Sequence, residues 1–180
     1  MTDLIKMFTT ETTVSVYCDS LNPDKHLTGW ICASSEDVVM IQHISPRGLY
    51  DGFILVQCDD IYRIDADGKY ERKMCNLYKA KKQEHPRFLI DEDLYTSLLA
   101  FCKMQELIMS IELKDGTLSG FVTEFNDECI TLALVDNYGD SNGQTVVVNR
   151  EIISIAADTQ NEQDIKILYE LKKEEDRSPL

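Results

Sequence analysis

The residues of this 180-residue chain best suited to nucleophilic or metal chemistry are six cysteines and three histidines. Cys18, Cys32, Cys58, Cys75, Cys102 and Cys129 include no C-x-x-C pair, and His26, His43 and His85 stand far apart from one another. A zinc site or a disulfide framework needs tighter spacing, so neither is expected. The thiols lie among apolar neighbours, as in Gly29-Trp-Ile-Cys32 and Cys129-Ile-Thr-Leu132, and read as small buried hydrophobes of a reducing, cytoplasmic compartment. No histidine is matched with a serine, cysteine or acid in a recognised catalytic motif, and no glycine loop of the phosphate-cradling kind is present. The acid pairs Asp59-Asp60 and Asp127-Glu128 fall where turns are expected, and there Asp serves to cap backbone N–H groups. The expectation is a protein with no catalytic apparatus, no metal and no cofactor.

Charge narrows the partners. The formal net charge is −14, with 11 basic against 13 acidic residues in 1–90 and 7 against 19 in 91–180. Such a surface repels phosphate backbones unless a local basic patch overrides it. One stretch qualifies, Lys69 to Lys82, with six basic residues against Glu71, and it reads equally as the solvated face of a helix. No run reaches the roughly 18 apolar residues of a membrane span. The opening residues also lack the basic flank, apolar stretch and cleavage site of a secretory leader.

The elements that would position any site are duplicated. Shifting the sequence by 91 positions lays residues 27–83 on 118–174 without a gap. Identical pairs then include Leu27/Leu118, Gly29/Gly120, Gly52/Gly143, Val56/Val147, Ile61/Ile152, Asp67/Asp158, Glu71/Glu162 and Tyr78/Tyr169. Internal repetition at a fixed shift is the mark of a duplicated structural unit. Upstream, Val14–Cys18 falls on Met109–Leu113 once about four residues of the Asp19–His26 loop are set aside, a difference in hairpin length.

Each copy reads as five strands. Alternation in 13–18 and 108–113 suits a half-buried strand, and Lys114-Asp115-Gly116 is a turn signal. Second strands run from Leu27 and Leu118, where Gly29 and Gly120 imply bending or close backbone approach. Third strands fit 37–44 and 128–135, fourth 53–57 and 145–148, fifth 61–64 and 152–155, with Gly52 and Gly143 as structural glycines before the fourth. Helical spacing of Leu94, Leu98, Phe101 and Cys102 after Asp91-Glu-Asp predicts a helix before the second copy, with a shorter one around Asp3 to Phe8 before the first. Met74, Leu77, Tyr78 and Ile165, Leu168, Tyr169 predict a helix after each copy. The competing reading makes 65–68 a hairpin turn leading into a sixth strand. His85-Pro86-Arg87 reads as the linker, which puts the domains at 1–87 and 88–180.

A helix followed by five short antiparallel strands, with a glycine in a bent second strand, resembles the Sm/LSm family, including Hfq. Ser110–Asp127 looks like that family's first motif and Val146–Ile155 like its second, over about 50 residues of each copy. These patterns are also compatible with other SH3-like barrels. The resemblance implies a mainly β protein with flanking helices: two tandem five-stranded, strongly bent antiparallel SH3-like or Sm-like barrels. It implies poorly conserved nucleic-acid contacts, because the family's base-contacting Asn meets Ile130 and Val39, and its Arg-Gly pair meets Val148-Asn149 and Gln57-Cys58. The candidate binding residues are Asn126, Asp127, Asn149 and Arg150, with Arg150 the best single anion or base contact. The function expected is a non-catalytic interaction or scaffold protein that binds a protein partner or itself through barrel edges and loops, as a small homo-oligomer. An RNA-binding regulator is the alternative.

Overall fold

The computed structural model describes residues 8, 11–91 and 93–177. The helix expected around Asp3 to Phe8 lies, except for Phe8, outside the described residues. The chain is mainly β, with antiparallel strands and three helices among the described residues, and its contacts divide it into two compact units at Leu94/Tyr95.

The first unit runs β1 (Val14–Tyr17), β2 (Leu27–Ser34), β3 (Val38–Ile44), β4 (Tyr50–Gln57), a 3-10 turn at Cys58–Asp60, β5 (Arg63–Ala66) and α1 (Lys69–Ala80). The second runs α2 (Leu94–Met104), β6 (Ile108–Leu113), β7 (Gly116–Phe125), β8 (Cys129–Val135), β9 (Ser141–Val148), a 3-10 turn at Asn149–Glu151, β10 (Ser154–Ala157) and α3 (Gln160–Arg177). Within each unit the order is the same, β5-β1-β2-β3-β4 and β10-β6-β7-β8-β9. No ladder joins the two ends of either series within its unit, so strand pairing does not close either one into a barrel. Within its own unit each four-residue fifth strand pairs with the first strand.

The duplication extends to register. Val14 faces Gly29 as Met109 faces Gly120, and Gly29 faces His43 as Gly120 faces Leu134. Both second strands carry a register shift at the same place, between Ile31 and Ala33 and between Val122 and Glu124. Both third strands meet a shift opposite Gly52 or Gly143, and both of those glycines take positive φ inside the fourth strand. Such bulges bend a strand and raise its twist. A further identical pair, Gly48 and Gly139, has positive φ and lies under the trailing helices. A Cβ there would come within 2.5 Å of the Leu77 side chain or 2.7 Å of that of Leu168.

Residues 69–80 are helical, so the sixth-strand reading is set aside. The face of α1 that packs inward carries Glu71, Met74 and Tyr78, and the basic residues of 69–82 lie on its exposed side. Glu71 and Glu162 stand at the third position of their helices, where a carboxylate meets the first-turn N–H groups. Each is tied to the sheet by a serine of the first strand: Ser15 Oγ donates to Glu71 at 2.6 Å, and Ser110 Oγ donates to Glu162 at 2.6 Å. Glu162 also accepts from the Thr159 backbone N–H at 3.0 Å and from the Thr159 hydroxyl. Both glutamates are buried, so each bond ties the first turn of its helix to the sheet.

Candidate functional site

Asn126, Asp127, Asn149 and Arg150 come together at one end of the second unit. Asn126 Oδ1 accepts the Glu128 and Cys129 backbone N–H groups at 2.8 and 2.9 Å, an Asx-type closure of the β7–β8 turn. Asn149 opens the 3-10 turn after β9, and its Nδ2 donates to Asn126 O at 3.0 Å, while its Oδ1 is buried without a partner. Asp127 is exposed at the tip. The Arg150 side chain is 83% exposed, with Nε 3.3 Å from Glu151 Oε1. The two asparagines thus hold the turn together. Arg150 is a solvated arginine beside an acid of opposite sign, a pair that contributes little. In the first unit Ser35 takes the place of Asn126 and accepts from Val38 N at 3.1 Å, and Cys58 takes the place of Asn149.

The histidines form a second constellation, in the first unit, which sequence reasoning missed. His85, read as linker, folds its ring back over the sheet. It stacks on Tyr78 at 5.5 Å and 22°, and meets Tyr50 and Phe53 edge-on at 4.7 and 5.5 Å. Its Nε2 lies 3.0 Å from His43 O and 3.1 Å from Gly52 O, and its Nδ1 lies 2.7 Å from Tyr78 Oη. Carbonyls only accept, so Nε2 carries the hydrogen and Nδ1 accepts the Tyr78 hydroxyl proton. Burial pushes His85 down to about 4 and Tyr78 up to about 12, the latter helped by nearby Glu84. A neutral imidazole with both nitrogens bonded is a structural pin. His43 Nδ1 stands 3.0 Å from Asp51 Oδ2 but makes no hydrogen bond there.

The cysteines behave as hydrophobes. None is disulfide-bonded, and burial drives the Cys32 and Cys102 thiols up to about 12 and raises that of Cys58, so a thiolate is disfavoured at all three. Among the described residues no three His, Cys, Asp or Glu side chains cluster as a metal site would require, and no helix is long and apolar enough to cross a membrane.

The remaining feature is an edge. Among the described residues β9 pairs only with β8, and its 62%-exposed Val146 and 43%-exposed Val148 stand in solvent. Comparison with family models, curated proteins and solved structures gives no match.

Proposed function

We propose that the chain is a non-catalytic interaction protein of two Sm-like units that associates through the free edge of β9. The observation that carries this reading is the pair Val146 and Val148, branched apolar side chains exposed on a strand whose outer N–H and C=O groups have no ladder. β9 carries no lysine or proline between Ser141 and Val148, and its one protective feature, the bulge at Gly143, lies before the exposed valines. The occupant favoured is a strand of a second copy. Among the described residues β5 of the first unit pairs only with β1, so β9 of one molecule and β5 of the next can complete each other's ladders.

The Sm-like assignment rests on α2 followed by five antiparallel strands, with Gly120 in a bulged second strand. The non-catalytic reading is supported by His85, whose ring nitrogens are both bonded, and by the Cys32, Cys58 and Cys102 thiols, which burial keeps protonated. Against RNA stand the net charge of −14 and an Arg150 set beside Glu151. Hydrogen exchange at several protein concentrations tests the edge: protection of the outward amides of β9 rises with concentration if the edge pairs. Unchanged fast exchange of those amides contradicts the proposal, and protection gained only on adding single-stranded RNA installs the RNA reading in its place.

A further inference from the structure

In the first unit the trailing helix ends early and the chain turns back. Lys82 takes φ 53, and Gln83 N–H closes the helix end on Tyr78 O at 3.1 Å, so residues 83–88 return over the sheet and seat His85 against Trp30 and Tyr78. Those two rings are buried, and the Tyr78 hydroxyl is satisfied by the imidazole. In the second unit α3 continues to Arg177, so Lys173, the counterpart of Lys82, is helical, and among the described residues no segment turns back. The counterpart rings, Phe121 and Tyr169, lie 5.1 Å apart and are only partly buried, packed against Ile108, Val135 and Ile165. Among the described residues no third ring meets them and the Tyr169 hydroxyl has no hydrogen-bond partner. They wall an open cleft of about 390 Å³ floored by Val122 and Ala133 and flanked by Cys102 and Lys103 of α2.

We propose that this cleft is a peptide-docking site, taking from a partner protein an extended segment that seats an imidazole beside Tyr169 with a carboxylate next to it. The first unit supplies the pattern in cis: His85 bonds Tyr78, and Glu84 lies near enough to act on the same hydroxyl. The second unit supplies the complementary charge. Lys103, Lys166 and Lys173 line the cleft against Glu106 and Glu170, a local excess of positive charge in a chain of net charge −14. Lys166 is engaged by Glu170 at 3.9 Å, whereas the Lys173 ammonium sits 4.4 Å over the Tyr169 ring, where it would meet a carboxylate beside a docked imidazole. Docking here is read at Phe121 of β7 and Tyr169 of α3, so its outcome is distinguishable from that of association through β9.

The probe is the hexapeptide of residues 83–88, Gln-Glu-His-Pro-Arg-Phe, titrated into the 15N-labelled full chain. Saturable shifts at Phe121, Ala133, Tyr169 and Lys173 are expected, with affinity about ten-fold weaker for the peptide carrying His85→Ala and for protein carrying Lys173→Glu. Lys173 is exposed, so that variant keeps its fold, which the unperturbed part of its spectrum verifies. No shifts at millimolar peptide overturn the proposal. So do equal shifts with the alanine peptide, or shifts at Trp30 and Tyr78 in place of Phe121 and Tyr169.

Discussion

His85 carries the most information per residue. Its pKa of about 4 against an ordinary 6.5 means that the unfolded chain binds a proton which the folded chain refuses between those values. Stability is therefore full above pH 6.5 and falls as pH drops toward 4, by on the order of 3 kcal/mol over that window. Urea unfolding at pH 7.5 and pH 4.5 measures this in the wild type, and His85→Phe, which keeps a ring but cannot titrate, flattens the difference. Equal pH dependence in the two proteins contradicts the buried neutral imidazole. Nothing in the local sequence announced this role, because Pro86 marks an irregular segment and says nothing of where that segment packs. A comparison of the copies held a partial signal: the identical tyrosines Tyr78 and Tyr169 are each followed by two lysines in register, and only the first copy then has His-Pro. The candidate residues at 126, 127, 149 and 150 were found as a cluster, but their chemistry was legible only in the structure, where two of the four are occupied in holding a turn.

At the scale of the element, the bent second strands explain the glycines. A Cβ on Gly29 would lie 1.9 Å from Gln42 O, and one on Gly120 would lie 2.3 Å from Ala133 O, distances that real side chains do not reach. Each strand runs so close to its neighbour's carbonyl that only hydrogen fits. Gly120→Val forces the β7–β8 ladder apart and costs about 3 kcal/mol or more, read as a lower urea midpoint for the second unit; an unchanged midpoint refutes the close approach. Strands and trailing helices were legible because two-residue alternation and the i, i+3, i+4 apolar pattern are local properties. The fourth strands begin earlier than expected, at Tyr50 and Ser141, because the strand continues through a positive-φ glycine that reads as loop in sequence. Closure into a barrel was not legible, since it depends on whether the ends of a strand series meet, which no local pattern encodes. The Ser15–Glu71 and Ser110–Glu162 bonds join residues far apart in sequence, and only the shared Glu of the repeat hinted at them.

For the whole molecule, duplication has produced two units with one backbone plan and different surfaces. The first spends its trailing segment on its own sheet; the second carries a longer helix, an open cleft and a fourth strand that is exposed where its counterpart is buried. That difference places the interaction surfaces on the second, more acidic unit, and makes the β9 edge the feature on which the functional account depends. Light scattering on the purified protein over a range of concentrations tests it most directly. The account predicts a mass that rises above the 20.6 kDa of one chain toward a small closed oligomer, and that returns to 20.6 kDa in the double variant Val146→Lys, Val148→Lys. A wild-type mass fixed at 20.6 kDa at the highest concentration, or a double variant that associates as the wild type does, would contradict it.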